Sequence, residues 1–428
     1  MMIKKVLGTI GSRLLSALVS LIIIIITSKQ LGAEAMGTIS LVILGITIVQ
    51  MVNNFVGGSA LIYLIPRFEV YKLFIPSYIW AFFTAIVCSY LLKILYLIPD
   101  GYFIHIFFLS LIQSLSSVNL NILLGKEKIK QFNIITTAQI ILLIAVLIFM
   151  IFQQNNKNVY AYIIALYISY LFGLFLSMIA AFRLFHFSNL KNLKEVLYNI
   201  LRFGTYVQIA NIIQLFNYRF SYFLVENFIG RAALGIYSVG VQLSEGLWLT
   251  GKSMAIVQYS KISNTDDKEY AKKITLLFGK VSFLVTFFLL IILILIPHSF
   301  FSVIFGKDFS ELPVVILSLS SGILFLSLSF SLSHYFSGIG KHYHNSISSS
   351  IGLVFTIALG YILIPQYKLV GAGITASTAY LSILVYQIFF FIKISGAKTK
   401  DIFLSVKDIQ LFLYEFKNIF KKNNLKSS

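Results

Sequence analysis

Acidic residues are scarce in this chain: 15 Asp and Glu stand among 428 residues, against 34 Lys and Arg. Charged residues make up only 11%, less than half of the roughly 25% that a water-soluble domain carries. That leaves too little polar surface to cover even one soluble domain. Cysteine is nearly absent. The single one, Cys88, lies inside an apolar run, which excludes disulfides within the chain and thiolate metal clusters. There are six His, spread along the chain, and no CxxC or HExxH pair, so no metal-ligand constellation is legible. A P-loop, a GxGxxG and a nucleophile elbow are all missing, so no ATP-driven engine resides here. What is abundant is apolar: 58% hydrophobic residues, 40 Phe and 24 Tyr, with a mean hydropathy of +0.89. The expectation is an all-α membrane protein that crosses the bilayer many times.

A helix that crosses about 30 Å of hydrocarbon needs roughly 20 mostly apolar residues. Twelve such stretches can be marked, the first two over 8–28 and 37–64, the seventh and eighth over 200–225 and 233–256, and the last two over 346–364 and 371–392. Lys4 and Lys5 before the first stretch imitate a signal peptide, but the apolar run reaches Ser28 with no small-residue cleavage site, so an uncleaved span is expected. Of the 34 basic residues, twenty-four fall on the side that holds both termini and five on the other. By the positive-inside rule both termini of this multi-pass protein are cytoplasmic. Most of the positive charge therefore encodes orientation, and no nucleic-acid partner is needed to explain it. In the tail, 393–428, Ile402, Val406, Ile409, Leu413, Phe416 and Phe420 recur at spacings of three and four among lysines. This suits a basic amphipathic helix, either lying on anionic membrane lipids or docked against the bundle.

Shifting the chain by 198 residues superposes Leu31–Ser40 on Ile229–Ser238. Both glycines (Gly32 and Gly37 on Gly230 and Gly235), one alanine and the serine coincide. Six spans separate the copies, so they share one orientation in the membrane. The expected organisation is two parallel six-helix halves, 1–190 and 191–392, around a central cavity.

Polar residues inside spans need partners or water, because a charge at the bilayer centre costs roughly 2.5–3.5 kcal/mol. Span 2 places Gln50, Asn53, Asn54, Gly57 and Gly58 on one helix face, which either lines a cavity or packs closely on a neighbour through its amides. Span 7 gathers Gln208, Asn211, Tyr218, Arg219, Tyr222 and Glu226 within one arc. Span 8 aligns Gln242, Glu245, Trp248 and Lys252. Glu245 is the one acid deep within a span. It is the candidate for coupling to H⁺ or Na⁺, or else a structural partner of Arg13, Lys252 or Arg219. Under the shift Arg13 of span 1 falls on Asn211, and Asn53 and Asn54 fall on Gly251 and Lys252, so the polar faces of spans 1, 2, 7 and 8 correspond. Arg13, Arg219 and Lys252 outnumber Glu245, and such a cavity attracts an anion; no cofactor is expected.

The basic N-terminus, Arg13 in span 1, and Lys29-Gln30-Leu31-Gly32 followed by Gly37 and Ser40 resemble the opening of polysaccharide transporters of the Wzx type. These belong to the multidrug/oligosaccharidyl-lipid/polysaccharide exporter superfamily. One departure is Gln30, where the family often has Arg before the Leu-Gly pair. The resemblance implies alternating-access flipping of an undecaprenyl-diphosphate-linked oligosaccharide, for O-antigen, capsule or exopolysaccharide synthesis, alongside polysaccharide polymerase machinery. It implies a transporter and not an enzyme. A cation-coupled multidrug exporter of the same superfamily predicts a cavity dominated by carboxylates. A membrane-embedded polymerase predicts a large outside loop, whereas the longest here, Pro297–Pro313, has 17 residues.

Overall fold

A chain in hydrocarbon must satisfy every backbone N–H and C=O internally, and a helix does this within one segment. The computed structural model describes residues 2–184 and 193–402, and all regular structure among them is helical. The order is α1 (Met2–Gly57), α2 (Ser59–Leu64), α3 (Val70–Ile94), α4 (Phe103–Gly125), α5 (Ile129–Ile148), α6 (Val159–Phe182) and α7 (Leu193–Phe228). There follow α8 (Arg231–Ser263), α9 (Lys268–Leu295), α10 (His298–Phe305), α11 (Leu312–Gly338), α12 (Tyr343–Ser395) and α13 (Thr399–Ile402). Caps mark several starts. Asn158 accepts from the Tyr160 N–H ahead of α6, and Asp267 accepts from the N–H groups of Glu269 and Tyr270 ahead of α9. The tail helix expected beyond Ile402 lies outside the described residues.

Among the described residues eight helices are long and apolar enough to cross a membrane. Two of them, Gly11–Leu64 and Tyr343–Ser395, run 54 and 53 residues, more than twice the length of one crossing. α1 is interrupted internally at Gly32 (φ 82°) and α12 at Lys368 (φ 51°). Loops were expected between spans 1 and 2 and between spans 11 and 12. The charges of Lys29, Glu34 and Lys368 lower the local hydropathy there, yet one residue off helical geometry is enough to redirect the chain. Glycine reaches positive φ without steric cost, which suits it to the first break. α7 and α8, of 36 and 33 residues, are about 54 and 50 Å long. They exceed a crossing in length, but their polar faces keep them out of the apolar class.

The described residues form two compact units. One runs to Val239 and includes His298–Leu312; the other comprises Gly240–Pro297 and the chain from Pro313 onward. The first has a core of Leu61, Leu64, Ile65, Leu73, Val118, Ile122, Val196 and Ile200, which fixes α2 and the start of α7 on α3 and α4. In the second, Ile262, Tyr335, Phe336, Leu384 and Phe391 join α8, α11 and α12. Outside these cores, apolar side chains such as Leu18, Phe82, Phe175, Val354 and Phe389 are exposed, as lipid-facing surfaces require.

Candidate substrate site

The polar face of span 2 lies in the first unit and is turned to α4. Gln50 Nε2 donates to Ser114 Oγ at 3.0 Å and to the Ser110 carbonyl at 3.3 Å, and Asn121 Nδ2 donates to the Gly57 carbonyl at 2.6 Å. Trp80 Nε1 donates to the Val52 carbonyl at 3.2 Å. Side-chain donors to mid-helix carbonyls disturb the helical ladder, and α1 gives way at Gly58 to the short α2. Asn53 is fully buried with neither amide atom hydrogen-bonded, and Asn54 is half-buried. Gln50 thus serves the helix–helix contact. Arg13 is exposed on the first part of α1.

α7 carries its polar groups as local pairs, also in the first unit. Asn211 Nδ2 donates to Gln208 Oε1 at 3.2 Å, and Gln214 Nε2 to the Tyr218 hydroxyl at 3.0 Å. The Arg219 guanidinium sits 5.3 Å from the Tyr222 ring centre, and Tyr222, itself buried, meets Tyr237 of α8 edge to face at 5.8 Å. Near the end of α7, Arg231 Nε donates to Glu226 Oε1 at 2.6 Å and Arg231 Nη1 reaches Thr38 Oγ1 of α1 at 3.4 Å.

In the second unit, α8 presents Gln242 and Glu245 half-buried and Trp248 buried. Trp248 meets Phe330 of α11 at 5.8 Å and Tyr380 of α12 at 6.0 Å, both edge to face. Lys252, one turn on and exposed, holds its ammonium 5.5 Å from the Trp248 ring centre and 5.3 Å from that of Phe330. Arg219 over Tyr222 in the first unit and Lys252 over Trp248 and Phe330 in the second are thus cations held over aromatic faces. A cation so placed keeps its charge outward while its stem is packed. Such a cation can bind phosphate oxygens on its outward side, while the buried ring beneath fixes its position. The sequence named Arg219, Tyr222, Trp248 and Lys252; it did not name Phe330, Tyr380 or Tyr237, whose apolar positions carry no periodic signal. The Glu226–Arg231 pair was also missed, because Arg231 falls in the gap between spans 7 and 8 of the hydropathy pattern, outside the spans searched for polar faces.

The two copies of the repeat meet each other. A Cβ on Gly37 would strike the Arg231 carbonyl oxygen, and a Cβ on Gly235 would strike that of Ala33. Under the shift of 198 these are equivalent pairs, so the contact is reciprocal, as across a two-fold axis. Ser40 Oγ donates to Ser238 Oγ at 2.8 Å between equivalent residues, on that axis. The residues after Gly32 and Gly230, both at positive φ, are those that interlock.

Residues 31–313, some two-thirds of the chain, match the family described as polysaccharide biosynthesis protein. The chain belongs to that family. Among curated relatives of this polysaccharide biosynthesis protein is the capsular polysaccharide biosynthesis protein CapF of Staphylococcus aureus. It is 25% identical over 174 residues, covering 40% of this chain and 44% of CapF. The aligned part spans less than half the length of the curated relatives that match. In fold, the family member resembles the lipid II flippase MurJ in an inward closed conformation, with a TM-score of 0.68 at 17% identity over 99% of this chain and 100% of that one. An inward-facing multidrug resistance MATE family transporter of the MOP superfamily gives 0.69 at 14% identity over 90% and 94%. The fold is the all-helical one that these transporters share.

Proposed function

We propose that this protein flips undecaprenyl-diphosphate-linked oligosaccharides from the inner to the outer leaflet of a bacterial inner membrane, by alternating access. The flipped units would feed O-antigen, capsule or exopolysaccharide synthesis, alongside a polymerase. The observation that carries this reading is the cation set over aromatic faces on α7 and α8, within a polysaccharide biosynthesis family and a flippase-like fold. Arg219 in the first unit and Lys252 in the second each suit phosphate, and the half-buried Asn211, Tyr218 and Gln242 suit sugars, while the buried Gln208, Tyr222 and Trp248 back Asn211, Arg219 and Lys252 in turn. The breaks in α1 and α12, together with the length of α7 and α8, support twelve crossings, an even number that puts both termini on one side, and the excess of basic residues there supports the cytoplasmic side. Each negative charge leaving a negative-inside cell gains about 2.3 kcal/mol per 100 mV, which favours export, and Glu245 is the site at which H⁺ or Na⁺ exchange would couple.

The test is reconstitution in liposomes with a lipid-linked oligosaccharide, reading exposure of the glycan to an added glycosidase. Lys252→Gln and Arg219→Gln are each expected to slow the appearance of glycan outside about tenfold, equivalent to about 1.4 kcal/mol. Unchanged rates in both variants overturn the reading. Glu245→Gln is expected to remove the dependence on an ion gradient; an intact dependence refutes coupling at that residue. The second reading, a cation-coupled multidrug exporter, rests on the likeness to the MATE fold. It gains support if a cationic dye is exported in a Glu245-dependent way while the glycan stays inside.

A further inference from the structure

The segment between α9 and α11 belongs by its packing with neither of them. α9 and α11 are in the second unit, whereas His298–Leu312 is part of the first, and the changes of unit fall at Pro297 and Pro313. Three turns of aromatic packing hold the segment. Phe301, Phe305 and Phe309 are 2%, 4% and 0% exposed, and their rings follow one another at 6.4 Å. Leu312 is also fully buried. Gly306, at φ 105°, lies against Lys29 and the Ser28 carbonyl just before the α1 break. Beyond the break, Asp308 Oδ2 accepts the Ala33 N–H at 3.2 Å. When a helix restarts after an interruption, its first N–H groups lack intrahelical acceptors. A carboxylate there both accepts a hydrogen bond and meets the positive end of the helix dipole. Here the cap comes from 275 residues along the chain.

We propose that residues 298–312 form an anchored strap: it stays docked on α1, with Asp308 capping the helix that restarts at Ala33, while α9 and α11 pivot about Pro297 and Pro313. The buried phenylalanines make the strap part of the element it covers, and a proline at each end has fixed φ and no N–H to tie it to a helix. The strap then keeps the α1 break in one geometry while the helices that carry it in sequence change position.

The test reads distances and not transport, so its failure and that of the flipping reading are separable. In full-length protein with Cys88→Ser, in nanodiscs, one spin-label pair joins Asp100→Cys to Lys307→Cys on the strap. A second joins Asp100→Cys to Leu295→Cys at the end of α9; all three sites are exposed. The strap pair is expected to give a single narrow distribution, and the α9 pair one about twofold wider or bimodal, as for a domain motion. A strap pair as broad as the α9 pair, or an α9 pair as narrow as the strap pair, overturns the proposal. For the cap, amides 33–36 of Asp308→Ala are expected to exchange hydrogen about tenfold faster than in the parent. Asp308→Asn, an equally good N-cap, and Lys307→Ala are expected to stay near it. Unchanged exchange in Asp308→Ala refutes the capping role.

Discussion

The two copies of the repeat share a backbone contact and differ in the charges that surround it. Gly37 on Arg231 and Gly235 on Ala33 are the same approach made twice, and Ser40 meets Ser238 between them. At the position equivalent to Ala33 the second copy has Arg231, which is paired with Glu226 and reaches Thr38. At the position equivalent to Glu226 the first copy has Ser28, whose hydroxyl turns back to the Ile24 carbonyl. The first copy instead receives a carboxylate from outside the repeat, Asp308 on the Ala33 N–H. Shape is common to both copies and charge is not. In a membrane, where lipid tails are as apolar as side chains, close packing of small residues is what draws helices together. The glycines are therefore fixed by the contact, while the charges around it are free to serve each half differently.

The strongest way to break this comparison is to fill the contact. Gly37→Val and Gly235→Val each drive a side chain into a carbonyl oxygen of the facing backbone, where nothing flexible can give way. Each is expected to destabilise the purified protein by about 1–3 kcal/mol or more, the range for overpacking. Thermal unfolding in detergent measures this, and the two losses should match. If one variant melts like the parent while the other does not, the contact is not reciprocal.

A smaller effect is expected at the charge pair that only the second copy has. Glu226→Gln removes the charged acceptor of Arg231, at side chains that are 22% and 32% exposed. The expected loss is about 1–3 kcal/mol, as for a hydrogen bond to a charged group. Replacing both partners, Glu226→Gln with Arg231→Ala, makes the second copy electrically like the first and should recover part of it. The measurement is the same melting comparison. A double variant that loses the sum of the single losses shows that the two residues act independently, and the asymmetry then lies elsewhere.

Much of this arrangement is legible along the chain, for physical reasons that also mark the limit. Apolar runs of membrane length announce the helices, and a Gly-x4-Gly spacing repeated 198 residues later announces the repeat; that the two copies touch is seen only in the structure. Trp248 and Lys252, a turn apart on α8, are likewise visible as one face. Partners from distant helices leave no trace in local spacing. The face from Gln50 to Gly58 admitted both a cavity and a packing role, and Gln50 proves to be held by Ser110 and Ser114 of α4. Lys368 lies in the gap marked between spans 11 and 12, but its residue type does not show that the chain turns at this one position, since a non-glycine residue at positive φ is set by its surroundings. Pro297–Pro313 reads as an ordinary loop because its phenylalanines look like more membrane sequence; only their burial on the first unit shows what they anchor.

The finest test lies on the axis itself. Ser40 and Ser238 are both buried; the Ser238 hydroxyl donates to the Gly235 carbonyl, and the single Ser40 proton has both Ser238 Oγ and the Met36 carbonyl within reach. Ser40→Ala or Ser238→Ala alone should cost only about 0.5–1.5 kcal/mol, the net worth of one hydrogen bond. The double variant should cost less than the sum, since no hydroxyl is then left facing a methyl group. The interaction energy of that cycle isolates the bond between the copies from the bonds within each. A value near zero would mean that the serines coincide in the repeat without being coupled, leaving the glycines alone to hold the two copies together.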